Sequence, residues 1–339
     1  MFETMSISRL DDFITCEFDL FICFNSFEKR CTSIASHIPT DKFKAFLVLT
    51  NQLHLENEDN NLQELTNLFA DKASVLRVDL SAPIVVADKI IDRLNYINER
   101  TPLNRIFVDI TTFTHETLLI LVAILNEKYN NAEIIWGYNN AKEYSPDIND
   151  PKKKWLSRGI GDVRSILGYS GDLKPSLDNL LIVIVGYEYE RAARIIDAIA
   201  PDYLAIGYNN ESNSSTEKNQ DANEGYAKLL KNMSAYFEQT IDFVVPSNDP
   251  FKAYEAICNE LDTIGKNVNI TIVPMNNKLS TMGVALVGLR RPEIQICYAP
   301  ALVYNTSSYS SPGDTCYIFS FNTHKQEENH PQEVQNESN

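Results

Sequence analysis

The stretch Leu180 to Arg191 reads LLIVIVGYEYER. An unbroken Leu/Ile/Val run stops at Gly186 and turns at once into a charged, helix-forming segment. That succession is the pattern of a buried strand in a parallel α/β sheet followed by its helix. Phe18 to Arg30, FDLFICFNSFEKR, has the same form: strand, small polar turn, aromatic, glutamate, arginine. Phe27-Glu28 and Tyr187-Glu188 lie 160 positions apart.

The offset recurs. Glu133-Ile134 meets Glu293-Ile294, Tyr138 meets Tyr298, Ala141 meets Ala301 and Tyr144 meets Tyr304. Val108, Ile110 and Thr111 meet Val268, Ile270 and Thr271. The chain therefore reads as α/β, with two tandem Rossmann-like, doubly wound, mainly parallel sheets arising from an internal duplication. Residues 1–146 form the first unit, 147–179 a connecting segment, 180–321 the second unit, and 322–339 a polar tail expected to be disordered.

Working outward, strands are expected at Phe18–Phe24, Ala45–Leu49, Val75–Val78, Arg105–Ile110 and Glu133–Tyr138. Helices are expected over Ser26–His37, stopped by Pro39, over Leu62–Phe69, from Pro83 to about Glu99, and over LLILVAIL. The second unit repeats this with strands at Leu180, Tyr203–Tyr208, Ile241–Val245, Val268–Val273 and Glu293–Tyr298. Its helices follow Gly186 and cover Tyr226–Glu238, Pro250–Ile264 and LSTMGVALVGL. Asn209 to Glu224 is polar low-complexity sequence, expected to be a mobile loop. A strand is also expected at Arg164–Leu167.

A chain of 339 residues, 44% hydrophobic and 10% aromatic, is long enough for two cores. Its net charge of -16 argues against non-specific binding along a nucleic-acid backbone. The six cysteines show no CxxC pair and no metal-ligand spacing, which suits reduced core thiols in the cytoplasm. The acidic N-terminus does not read as a signal peptide, and the longest apolar run, Leu118 to Leu125, is too short to span a bilayer.

Open parallel sheets bind ligands beyond the carboxyl ends of their strands, so the candidates are the residues just after each strand. After the first strands come Asn25, Ser26 and Glu28, and Gly186, Tyr187 and Glu188, followed by Arg30 and Arg191. Small residues admit a ligand to the backbone, arginine can clamp a phosphate, and glutamate can bond a ribose hydroxyl. The pairs can equally be structural, with glutamate favoured in the first helical turn. The glycines of a GxGxxG fingerprint are absent from the first unit and reduced to Gly186 in the second, which argues against classical NAD binding. Asp109, ending a strand, and His115 behind it are candidates for acid–base catalysis, against a reading in which Thr114 merely caps a helix. The matching second-unit loop carries Lys278 instead. Tyr138 and Tyr298, with Tyr144 and Tyr304, can stack on a base or pack the strand ends. Ser307 to Gly313 can serve as a lid, and Lys152, Lys153, Lys154, Arg158 and Arg164 form a basic run in an acidic chain. No phosphate loop, HExxH, GxSxG or Cys/His cluster occurs.

In layout, two tandem Rossmann-like units with polar, Arg-containing first turns resemble the CARF and SAVED ligand sensors of prokaryotic immune systems. The resemblance covers about Phe18 to Phe319 and rests on architecture, so no site residue is carried over. It implies recognition of a cyclic oligonucleotide at paired strand ends and an output lying in a partner chain or in the chain's own cleft. The expectation is thus a cytosolic sensor or regulatory protein binding a small anionic, nucleotide-like ligand between its halves, with no bound cofactor or metal, no membrane and a possible effector partner. Two alternatives stand beside it: a hydrolase or transferase acting on an N-glycosidic or phosphodiester bond, and a scaffold subunit.

Overall fold

The computed structural model describes residues 1–53, 58–145, 155–210, 214–215, 231, 239–265 and 267–321. The expected helix Tyr226–Glu238 apart from Lys231, the tail from Asn322, Lys152 to Lys154 and most of the Asn209–Glu224 loop lie outside these residues.

In the first half, β1 (Phe2–Ser6) and a short helix α1 (Leu10–Phe13) precede β2 (Phe18–Asn25), β3 (Phe43–Asn51), α2 (Glu58–Phe69), β4 (Ala73–Val78), α3 (Pro83–Asn98), β5 (Arg105–Asp109), α4 (His115–Lys128) and β6 (Glu133–Tyr144). Next come β7 (Ser157–Arg158), β8 (Arg164–Ser170), β9 (Asn179–Ile184), α5 (Tyr189–Ile199), β10 (Tyr203–Tyr208), β11 (Gln239–Val244), α6 (Pro250–Ile264), β12 (Asn269–Pro274), α7 (Lys278–Arg290), β13 (Gln295–Tyr298), β14 (Val303–Tyr304) and β15 (Ser310–Phe319).

Two large sheets result, with strand orders β1-β15-β6-β5-β2-β3-β4 and β11-β10-β9-β12-β13-β8. In each, five consecutive strands run parallel and an antiparallel strand closes one side. The expected α/β class with two Rossmann-like halves is what the chain adopts.

The closing strands are exchanged. β8, which follows the first half's last parallel strand, pairs with β13 of the second sheet. β15, which follows β13, pairs with β6 of the first. Ser310–Phe319, placed with the second unit on sequence grounds, thus belongs to the first sheet, and the connecting segment contributes a strand to the second. β1 then pairs along the other side of β15.

Register refines the repeat. Leu20 lies beside Ile106, and Leu180, 160 positions on, lies beside Ile270. Ile106 and Ile270 are equivalents, so the third strand carries an offset of 164, not 160. The sequence matches of Val108 and Ile110 to Val268 and Ile270 are therefore out of register, because Val/Ile runs match at many offsets. Phe107 pairs Ile135 and Thr271 pairs Gln295, which restores 160 for β6 and β13.

Alternation along the strands sorts the core into layers. Leu20, Ile22 and Phe24 and their equivalents Leu180, Ile182 and Ile184 all face one continuous central core. Phe21 and Cys23 face an outer cluster under α1 and α2, while Leu181, Val183 and Val185 face another under α5. The central core contains α4 and α7, each buried along nearly its whole length.

One expected helix fails. Ser26–His37 instead forms 3-10 turns at Lys29–Thr32 and Ala35–His37. The Thr32 hydroxyl donates to the Lys29 carbonyl and Ser36 to the Thr32 carbonyl, local bonds that compete with a regular ladder.

Close packing of α7 on α6 depends on Gly283, where a Cβ would lie 2.7 Å from the Ala253 Cβ and 2.9 Å from the Pro250 carbonyl oxygen. Gly283→Val is expected to destabilise by about 1–3 kcal/mol. A lower urea midpoint at unchanged slope is the measurement.

Candidate functional site

The carboxyl ends of the two sheets meet. Beyond β2, Arg30 is buried, and its Nη2 and Nε donate to Glu28 Oε2 at 2.7 and 3.0 Å. Its Nε also donates to Ser310 Oγ at 2.9 Å and its Nη1 to the Asn139 carbonyl at 3.2 Å. Ser310 Oγ reaches Glu28 Oε2 at 2.5 Å, from the exchanged strand β15.

Beyond β9 the arrangement repeats. Arg191 is buried, Nη1 donates to Glu188, and Nη2 donates to the Ala299 carbonyl at 2.6 Å. Ser157 on β7 donates to Glu188 as Ser310 does to Glu28. Asn139 and Ala299 are 160 apart, so both arginines bind equivalent carbonyls. Arg30 sits 5.8 Å from the Tyr144 ring centroid, and Arg191 sits 5.5 Å from that of Tyr298. Tyr138 and Tyr144 have Tyr298 and Tyr304 as their equivalents 160 positions on. Aromatics also cross the axis: Phe27 packs 5.8 Å from Tyr304, and Tyr187 packs 4.9 Å from Tyr144.

The two halves differ at the first residues of α4 and α7, which are His115 and Lys278. Thr114 caps the first helix, accepting from the Thr117 N–H, and Asn277 caps the second, accepting from the Ser280 N–H. His115 is buried, and its Nδ1 lies 2.6 Å from Thr281 Oγ1 on α7. Burial, with Lys278 and Arg191 adding repulsion, pushes its pKa well down, so the imidazole is neutral. Lys278 is partly open to the cleft, and no described residue gives it a hydrogen bond or ion pair. Desolvation lowers its amine to about 8, with Glu28 and Glu188 opposing and Arg30 and Arg191 reinforcing.

Two adjoining cavities of about 80 and 40 Å³ share Glu28, His115, Glu188, Lys278 and Tyr309 as lining. Ser26, Arg191 and Tyr298 complete the larger; Arg30, Tyr138, Gly186 and Tyr187 complete the smaller. Only glycine fits at Gly186, since a Cβ there would collide with the Met275 carbonyl.

Two expected residues lie elsewhere. Asn25 is fully buried and donates to Thr50 Oγ1 and the Glu58 carbonyl, tying β2 to β3 and α2. Asp109, proposed as an acid–base group, lines neither cavity. It is sealed behind the site, with Oδ1 accepting from the Thr111 N–H at 2.9 Å and Oδ2 unpartnered. Burial pushes it up to about 7 against the Thr111 bonds and Arg30. Of the basic run, Arg158 stacks 4.3 Å from the Trp155 ring, and Arg164 pairs with Glu116 at 2.7 Å. The expected lid is anchored: Asn305 Nδ2 donates to the Trp155 and Ser308 carbonyls, and the segment's end enters β15. Sequence reasoning missed Ser157, Ser310 and Tyr309. Ser157 and Ser310 are 153 apart, off the repeat offset, so no spacing marks them.

Among the described residues, all six cysteines are free, no group of three or more His, Cys, Asp or Glu side chains is arranged to hold a metal, and no helix is long and apolar enough to cross a membrane. No known protein-family model and no curated protein matches the chain.

Arg30→Met leaves Glu28 buried and uncompensated and is expected to cost about 3–5 kcal/mol. Adding Glu28→Leu should recover part of that loss, which a double-mutant cycle by urea unfolding reads directly. Asp109 has a folded pKa above its ordinary 3.8, so its contribution to stability is full below that value and is lost as pH rises through about 7. Asp109→Asn is expected to stabilise by about 2–3 kcal/mol more at pH 8 than at pH 5. Equal effects at the two pH values would refute that account.

Proposed function

We propose that this chain binds a small anionic, nucleotide-type ligand in the cleft between its halves and acts as a sensor or regulatory component. The observation that carries the reading is Lys278. It is a cation placed where the two sheets' strand ends meet, with aromatic walls and, among the described residues, no anion at bonding distance. A lysine beginning a helix adds its charge to N–H groups already aimed at the cleft, a combination suited to an anion.

The arginines have a different part from the one their sequence position suggests. Three Arg30 nitrogens and two Arg191 nitrogens are already engaged by glutamate, serine or backbone oxygen. They set the positions of Glu28 and Glu188, whose carboxylates can accept from ligand hydroxyls, while Lys278 takes the anionic group. Phe27, Tyr298, Tyr304 and Tyr309 offer surfaces for a flat ring. The layout's resemblance to CARF and SAVED sensors accords with this reading. Of the candidates for acid–base work in the hydrolase or transferase alternative, Asp109 does not line the cleft, whereas Glu28 and His115 do.

A ligand bound only by the native state raises the melting temperature by mass action. At least one member of a panel of mono-, di- and cyclic nucleotides is expected to raise the Tm of the full chain, and Lys278→Gln is expected to abolish the shift. Because the Lys278 amine loses its proton near pH 8, the shift should also shrink as pH is raised past that value. No shift with any nucleotide would overturn the proposal.

A further inference from the structure

The cleft restricts the charge and the hydrogen-bonding character of what it can hold. Three carboxylates, Glu28, Glu58 and Glu188, and three cations, Arg30, Arg191 and Lys278, line the two cavities. Two of those cations are committed to two of the carboxylates in buried pairs. Among the described residues the site therefore has one ammonium for an incoming anion, and a chain of phosphates would meet carboxylates next.

The opposite side of the axis supplies an acceptor. Thr281 has a single hydroxyl hydrogen, and Oγ1 donates it to the Asn277 carbonyl at 2.9 Å. The 2.6 Å contact to His115 Nδ1 must then be a bond that the imidazole donates. A neutral imidazole protonated at Nδ1 carries a lone pair on Nε2. His115 lines both cavities, as do Glu28 and Glu188, so hydrogen-bond acceptors outnumber Lys278, the one cation among the described lining residues that is not in a Glu–Arg pair. A ligand matching this site brings one anionic group and several hydroxyl donors.

Resting on the nucleotide reading above, we propose that the ligand is a ribonucleoside monophosphate, its phosphate on Lys278 and a ribose hydroxyl donating to His115 Nε2. The two halves thus discriminate between the ends of one molecule: at equivalent helix starts, one side reads charge and the other reads a donor.

Isothermal titration of the full chain with the four ribonucleoside 5′-monophosphates, the 2′,3′-dideoxy form of the tightest, and its triphosphate with Mg²⁺ tests this. The monophosphate is expected to bind at least about tenfold tighter than its dideoxy form, the scale of one lost hydrogen bond that leaves an acceptor unmet. The triphosphate is expected to bind more weakly than the monophosphate. In His115→Asn, which keeps an amide near Thr281 but no longer reaches the cavity, the preference for the ribo over the dideoxy form should fall by about tenfold, leaving what Glu28 and Glu188 contribute. Nitrogen NMR of the wild type should place the proton on Nδ1 at pH 7. A preference for triphosphate, equal binding of ribo and dideoxy forms, or a proton on Nε2 overturns this inference while nucleotide binding itself still stands. If Tm responds to cyclic or dinucleotides but no monophosphate binds, the inference falls alone; if nothing binds, both fall.

Discussion

Two helices that are apolar on every side, α4 and α7, set the terms for the rest of the molecule. A helix with no polar face cannot lie on a surface, so each needs cover all round. Leu118 to Leu125 in one, and Leu279 to Gly288 in the other, are buried apart from Ala123. Cover comes from a sheet behind each helix and from the opposite half across the middle, and one continuous core results. Neither half could present its central helix to water without exposing most of that core.

The same packing makes the cleft. Parallel strands deliver α4 and α7 with their N-termini at the carboxyl end of each sheet, so burying the helices together brings His115 and Lys278 to one place. The exchanged strands finish the job. Ser310 reaches Glu28 from a strand that follows β13, and Ser157 reaches Glu188 from the segment that follows β6. Each buried Glu–Arg pair is thus completed by the other half's continuation. Buried pairs add little net stability over apolar packing, but a half-satisfied one is costly, so these pairs select this docking over alternatives.

Much of this was legible in residue order. LLIVIVGYEYER and FDLFICFNSFEKR identified the first strand of each half, because a strand buried on both faces has no polar positions to spare. Glu28, Arg30, Glu188, Arg191, Lys278 and the tyrosines were found by the rule that ligands sit beyond parallel strand ends, and all reach the cavities. The misses have physical causes. Asp109 obeyed the same rule but belongs to a residue position whose side chain turns into the core. The Ser26–His37 helix was undone by hydroxyls bonding locally. The third-strand offset was misread because Val/Ile composition cannot specify register; only hydrogen-bond pairing can.

The sequence by itself determined the α/β class, the twofold repetition and the loops that would carry the site, since all three follow from local periodicity and from spacing along the chain. Tertiary structure alone decided which half each closing strand joins, that Arg30 and Arg191 donate to the Asn139 and Ala299 carbonyls, and that Lys278 has no hydrogen-bond or ion-pair partner among the described residues. Those outcomes depend on contacts between residues more than a hundred positions apart, such as Arg30 with Asn139 and Ser310. Nothing in local sequence records which of several equally suitable partners a buried charge will meet.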